Sequence, residues 1–349
     1  MLRPAVQGDA ARIISLLAPA ANETVGMLSL PRNQKQAEAI CAESDATTTD
    51  LAARSFEPPP GSRRQLLFVL EDNDQLVGLT GLTFKFDYPN LVFQLATGRQ
   101  GQGIVMTSVS EAWSRSELDS SFIAPTARGQ GHGTTLSRGR FMLLHLVRHQ
   151  VPRTVVSHLR GTFDDAGNAP FWLTVRDAIG PEWPTSTDAE QALADHPDRL
   201  LELAGHILPL EPEALGSLGV VNAASKPAFT LLLNEGLLPN GMYDPVDGGP
   251  TVAGPLESTA THHTRRHGRT RIATPDNPVD ALVTTSSVAR FRATRALVSL
   301  DDHQGTVTVD AATAARLRVE NGDVVTVAPL TAPAAPPAPS LHPPTVPTP

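Results

Sequence analysis

A single cysteine, Cys41, in 349 residues excludes an internal disulfide and any thiolate metal cluster. No apolar run approaches the roughly 18 residues of a membrane-crossing helix, and no stretch reads as a secretory signal. A soluble, cytoplasmic protein with no membrane partner is therefore expected. Cations are in the minority: 28 Lys and Arg stand against 36 Asp and Glu, a formal net charge of −8. They are also scattered, which excludes nucleic acid as a partner. Asp164, Asp165 and Asn168 lack the alternating ligands and terminal Glu of a calcium loop, and no metal is expected.

The chain is 40% apolar, enough to bury a large core, and its length suggests two or three structural units. Leu2 to Ala5 reads as a short strand. Asp9 is placed to cap a helix carrying Ile13, Ile14, Leu16 and Leu17. A polar, Ala-rich stretch to about Arg54 reads as one or two helices, broken by Pro58-Pro-Pro-Gly61. Gln65 to Glu71 and Leu76 to Phe86 read as strands joined in a hairpin across Asp72 to Gln75. Residues 87 to 115 read as irregular with one strand. Val155 to Leu159 gives a buried strand, and Pro170 opens a helix with Phe171 and Trp172 turned inward. Leu218 to Val221 reads as a strand, Lys226 to Glu235 as a helix stopped by Gly236, and His145 as a core residue in an apolar run.

The stretch from Ser116 to Arg140 organises the rest. It reads as an extended run, a turn built on Arg128, Gly129, Gln130, Gly131, His132 and Gly133, and the start of a helix. Glycines allow close backbone approach, and the N–H groups of a helix N-terminus favour an anion such as pyrophosphate. A Walker loop is excluded, because Thr134 and Thr135 rather than Lys follow Gly133. The spacing of the glycines is too compressed for a dinucleotide fingerprint. Arg or Gln, two residues, Gly, one residue, then Gly or Ala, set between a strand and a long helix, is similar to the acyl-CoA loop of the GNAT N-acyltransferases.

Further blocks carry a more specific resemblance. They are Gly26-Met-Leu-Ser-Leu-Pro31; Ser116-Glu117-Leu118 leading to Pro125; Leu136-Ser137 with Arg140-Phe141-Met142; Arg160-Gly161, Asp164, Gly167 and Pro170-Phe171-Trp172; and Asp247-Gly-Gly-Pro-Thr251. Together they resemble the arginine N-succinyltransferase family, whose members move a succinyl group from succinyl-CoA to the α-amino group of arginine and, in some members, ornithine. The resemblance implies an α+β fold with a GNAT-like acyl-CoA N-acyltransferase core, a mixed, mostly antiparallel sheet flanked by helices, over residues 1–252. A small C-terminal β-rich unit over 253–330 and a disordered Pro-rich tail over 331–349 complete the expected organisation. A homo-oligomer or a related second subunit is also implied, since some members work as paired subunits.

Acyl transfer to an amine makes four demands. The diphosphate of CoA needs donors, which the backbone from Arg128 to Gly133 supplies. The thioester oxygen needs hydrogen-bond donors as it becomes an oxyanion, and the resemblance points to Ser121 and Phe122. The amine must lose a proton; Glu117 is the candidate base or relay, with binding of the cationic acceptor as its other reading. The succinyl carboxylate needs a cation, for which Arg160 is suited, with Ser29 as a further substrate contact by resemblance. Each has a bland rival: Glu117 can hold a loop, and Arg160 can pair with Asp164.

Three departures stand out. The family's proton-donor His falls at Asn222, and an amide neither gives nor takes a proton near neutrality. Leu231 and Leu232 occupy the helix where GNAT enzymes often place a Tyr. The stretch from about 180 to 212 also keeps little of the family pattern. Three readings follow: a succinyl-CoA:arginine N-succinyltransferase, a GNAT enzyme with another acyl-CoA or amine, and a non-catalytic subunit of a hetero-oligomer. Residues 257 to 271, with His262, His263, Arg265, Arg266, His267, Arg269 and Arg271, read as a solvated basic loop or a contact to the CoA 3′-phosphate.

Overall fold

In the computed structural model the described residues are 1–23, 30–88, 93–94, 104–105, 113–164, 168–180, 182–184, 189, 192, 207–208 and 212–330. The expected Pro-rich tail, Ser29 and most of the 180 to 212 stretch lie outside them.

Strand β1 (Leu2–Pro4) leads into helix α1 (Ala10–Leu17), whose Ala10, Ile13 and Leu17 are buried at helical spacing. Asp9 precedes α1 as expected, but its carboxylate turns back: it accepts from Val6 N at 3.0 Å and pairs with Arg3 at 2.7 Å instead of capping the helix. The guanidinium of Arg3 holds that carboxyl low against its burial. Helix α2 (Gln34–Ala53) starts where the Asn33 side chain accepts from Gln36 N, and stops at Arg54 in left-handed conformation. Replacing Asn33 with Ala is expected to destabilise the protein by about 1 kcal/mol, read by denaturant titration, because one N-terminal N–H loses its acceptor. Strands β2 (Ser62–Asp72) and β3 (Gln75–Tyr88) form the expected hairpin. Asn73 and Asp74 both have positive φ, the conformation a two-residue type I′ turn requires.

The rest of the sheet comes from β4 (Phe93–Gln94), β6 (Trp113–Ile123), β7 (Thr154–His158), β9 (Leu238–Tyr243), β10 (Pro250–Pro255), β11 (Arg266–Ile272), β12 (Val279–Thr285), β13 (Ala293–Asp301), β14 (Thr306–Val309) and β15 (Val324–Pro329). Its order is β12-β15-β11-β14-β13-β1-β2-β3-β6-β7-β10-β9-β4, 13 strands in all. Among the described residues only β6 with β7 and β11 with β14 pair in parallel. This is the mixed, mostly antiparallel α+β sheet that the resemblance implies. The C-terminal strands continue it through β13, which meets β1 at Leu2↔Ala293. A separate pair is made by β5 (Ile104–Val105) and β8 (Ile207–Leu208).

Helix α3 (His132–Val147) crosses one face, and Phe141, Leu143 and Leu144 are fully buried in the core beside Leu2, Phe68 and Phe84. Helices α1 and α2 cover the other face through Ile13, Ala37 and Cys41 against Leu67 and Val69. Helix α4 (Pro170–Ile179) buries Phe171 and Trp172, with Ala169 at the cap position. Helices α5 (Pro212–Ser217), α6 (Lys226–Glu235), α7 (Ala260–Thr264) and α8 (Ala311–Leu317) complete the chain. Glu235 ties several together, pairing with Arg138 of α3 at 2.8 Å and accepting from Thr261 of α7.

Several expectations are corrected. Leu218 to Val221 is a turn, not a strand: Gly219 has φ +73° and Val220 N bonds back to Ser217 O. Strands β9, β10 and β12 were not read, and β9 in particular carries Pro239, Asn240 and Gly241, turn formers that mask a strand. Two short strands, β4 and β5, lie where one was expected. The basic run is not a solvated loop. It forms α7 and β11, where Arg265 donates to His262 O and Arg266 to Arg265 O, satisfying carbonyls at the helix end. Helix α7 meets α3 at His145, whose ring centroid stands 4.9 Å from that of His262. His145 is a core residue as expected, bonded from Nε2 to Thr259 Oγ1 at 3.4 Å. Burial and the Arg265 charge push its pKa down to about 3, although Nδ1 has no partner.

Candidate active site

Strand β6 runs through the short turn Pro125–Ala127 into the glycine turn and α3. Gly129 and Gly131 have φ of +80° and +81°, a conformation that glycine alone adopts without cost. The side chain of Arg128 donates back to Ile123 O at 3.2 Å, and Gln130 to Thr126 O at 3.4 Å. No side chain caps α3, so the positive end of its dipole is formed by bare backbone. His132 comes within 3.9 Å of Asp72. One cation missed in the sequence stands over the turn: a Cβ on Gly131 would collide with the guanidinium of Arg295 on β13, which Asp280 holds at 2.8 Å. Between them lies a cleft of about 70 Å³ lined by Met1, Gln130, Gly131, Thr135 and Arg295.

Upstream of the turn, β6 is irregular. Its register against β3 shifts between Leu79 and Gly81, and Ser120 opposite has φ +53°, a bulge with one residue in the left-handed region. Such conformations persist where the surroundings enforce them, often at active sites. Ser121 follows, its hydroxyl 2.7 Å from that of Thr80, and Phe122 is buried against the α1 and α2 face. Strand β7 pairs with β6 only at Ser116↔Val155 and Glu117↔Val156. Beyond that point Ser157 Oγ donates to Leu118 O at 2.9 Å and the strands part.

At the parting sits Glu117, 9% exposed. Its carboxylate accepts from Lys85 at 2.7 Å and from Arg115 Nε at 2.7 Å, and His158 Nε2 stands 3.7 Å away. Burial pushes its pKa up, but His158, Lys85 and Arg115 outweigh that and hold the group well below the usual carboxylate range. Asp119, two residues on, accepts from Thr83 at 2.5 Å and is pushed up by burial. His158 also bonds through Nδ1 to Thr251 Oγ1 at 2.9 Å. Sequence reasoning missed Lys85, Arg115 and His158. The signal for His158 was strand alternation, which puts Val156 and His158 on the face that Glu117 shares.

Arg160 and Asn222 meet just past β7, where Asn222 N donates to Arg160 O at 2.8 Å. The guanidinium of Arg160 lies 4.8 Å over the Phe163 ring. The side chain of Asn222 accepts from Ala224 N at 3.0 Å, capping a short turn of helix. Asp247 fixes this corner: its oxygens accept from Gly161 N and Gly249 N, both at 2.8 Å. Burial and the neighbouring Asp244 push it up to about 7. Glu117 and His158 thus come together with Arg160 and Asn222 close behind, while the glycine turn lies some six strand residues away, about 20 Å. Among the described residues no cluster of three or more His, Cys, Asp or Glu side chains could hold a metal, and no helix is long and apolar enough to cross a membrane.

Comparison with known proteins sets this geometry in context. A family model described as arginine N-succinyltransferase beta subunit matches residues 1–261, and one described as that subunit's C-terminal domain matches 266–329. An arginine N-succinyltransferase of Yersinia enterocolitica is 27% identical over 95% of this chain and 98% of its own length. Another from Photorhabdus laumondii is 26% identical over 86% and 90%. The solved arginine/ornithine succinyltransferase subunit AI of Pseudomonas aeruginosa shares the fold, with a TM-score of 0.78 at 22% identity over 94% of this chain and 98% of that one.

Proposed function

The chain belongs to the arginine N-succinyltransferase beta subunit family, and from that premise we propose that it is a cytoplasmic enzyme transferring the succinyl group of succinyl-CoA to the α-amino nitrogen of arginine or ornithine. The observation that carries the reading is the parting of β6 from β7 between an uncapped helix N-terminus and a buried Glu117 that faces a partly exposed His158. It offers an anion site at one end, a polar proton-handling site at the other, and between them strand backbone that β7 leaves unpaired.

In this reading the backbone of Arg128, Gly129, Gln130, Gly131, His132 and Gly133 holds the diphosphate. The pantetheine arm lies along β6, and the backbone of Ser121 and Phe122 stabilises the oxyanion. The amine attacks the thioester carbonyl directly. Arg160 attracts the succinyl carboxylate, Asn222 orients substrate, and Glu117 is the anion of the proton relay, since its two cations make it a weak base. Asn222 also favours a second reading, a subunit that holds CoA and supports an active partner chain.

Release of free thiol that requires both succinyl-CoA and arginine tests the proposal. A panel of other acyl-CoAs and amines separates an enzyme of altered specificity, and silence on every pair with CoA still bound selects the supporting subunit. Gly131→Ala is expected to weaken CoA binding at least tenfold by calorimetry, because the new Cβ meets Arg295 and cannot accept φ +81° without strain. Unchanged affinity would remove the turn from the site.

A further inference from the structure

We propose that His158 is the group that takes the proton from the attacking amine, with Glu117 and Thr251 as its positioning residues; this rests on the acyl-transfer reading above. The chemistry sets the requirement. An ammonium with three N–H protons becomes an amide N–H with one, so two protons leave the nitrogen. Its electron pair forms the new C–N bond, the C–S bond breaks, and the pair from that bond goes to sulfur. One proton ends on the CoA thiolate and the other in solvent. A side chain near the nitrogen has to accept and pass on a proton at a pH where it is itself unprotonated.

The groups at the parting of β6 and β7 can be taken in turn. Arg115 and Arg160 do not give up their protons. Burial lowers the Lys85 pKa, but its ammonium pairs with Glu117 at 2.7 Å, which favours the charged form and turns its protons onto that carboxylate. Asn222 is an amide with its side-chain oxygen committed to Ala224 N. Both oxygens of Asp247 accept backbone N–H groups, and Asp119 is turned onto Thr83. Glu117 is ion-paired twice and 9% exposed. His158 differs from all of these: it carries an imidazole, the side chain suited to proton transfer near neutrality, and its side chain is 29% exposed.

The ring is also placed for the task. His158 is the last residue of β7, just past the point where pairing with β6 ends. Thr251, opposite it on β10, fixes one ring nitrogen at 2.9 Å. The other faces Glu117 Oε1 at 3.7 Å, too far for a direct hydrogen bond. An amine N–H entering between them would find a base on one side and an anion on the other. The anion favours the imidazolium that results, as a carboxylate does for a catalytic histidine. The charged group facing the ring is Glu117 of β6, itself paired with Lys85 of β3 and Arg115 of β6; along the chain Arg160 follows two residues on, at the corner that Asp247 fixes through Gly161 N.

His158→Gln is expected to lower kcat by about 100-fold or more, with CoA affinity unchanged within twofold and the acidic limb of the kcat/KM profile lost. Imidazole added to His158→Ala should restore part of the rate. Thr251→Val, which frees the ring without removing it, should lower kcat less and move the acidic limb instead of abolishing it. An active wild type whose His158→Gln variant keeps its rate within threefold and its acidic limb overturns the assignment, and leaves that limb to Asp247 or the amine. A wild type that releases no thiol with any acyl-CoA and amine pair overturns both this assignment and the reading on which it rests.

Discussion

Glu117→Gln should destabilise the protein by about 3–5 kcal/mol and cut turnover at least tenfold, while leaving CoA affinity nearly unchanged. The stability term follows from what the substitution strands. Arg115 has no side-chain exposure and Lys85 has 19%, and both direct their charge at this one carboxylate. Removing one partner of a buried ion pair costs far more than the pair contributes, because the remaining charge stays out of water uncompensated. Gln offers a single oxygen to two cations and brings an NH₂ toward one of them. CoA is spared because the glycine turn lies about 20 Å along β6. Acid should reproduce part of the effect in the wild type. A carboxylate held well below its ordinary 4.5 contributes stability that is complete above that value and is lost as pH falls through the folded pKa. Denaturant midpoints measured from pH 7 downward should therefore fall more steeply for wild type than for Glu117→Gln. Parallel curves would mean that the carboxylate is not held by these cations.

Gly249→Ala is expected to be as damaging by a different route. Its Cβ would overlap the carbonyl oxygen of Leu159 and come within 2.7 Å of Gly161 N, and a Cβ on Gly161 would overlap Asp247 O. Two stretches of backbone meet here without side chains between them, so neither can yield cheaply. Overpacking of this kind costs about 3 kcal/mol, and relief by moving Leu159 to Gly161 would displace His158 and Arg160 together. A fall in thermal midpoint with at least tenfold loss of turnover is expected, and an active, stable Gly249→Ala would show that the corner is loose.

The glycine turn, the hairpin at Asn73-Asp74 and the helix from Lys226 to Glu235 were legible because each rests on local chemistry: positive φ, a capping residue, or apolar side chains at helical spacing. The α+β class came with the family resemblance. What stayed hidden is non-local. Lys85 and Arg115 look like ordinary charges in the chain, and they matter because β3 and β6 pair in a register that converges them on Glu117. Arg295 reaches Gly131 only because β13 packs beside the first strand. Strand β9, with Pro239 and Gly241 inside it, forms because β10 and β4 flank it, which no propensity reports.

Strand β1 has one edge on β2 and the other on β13, where Leu2 meets Ala293 from near the far end of the chain. During synthesis the first of these partnerships can form early, while the second waits for nearly the whole polypeptide to leave the ribosome. Until then a bare strand edge faces the cell, of the kind that invites association with other chains. A polypeptide cut short near residue 261 would keep that edge open permanently, and would tend to aggregate even with its glycine turn and Glu117 intact.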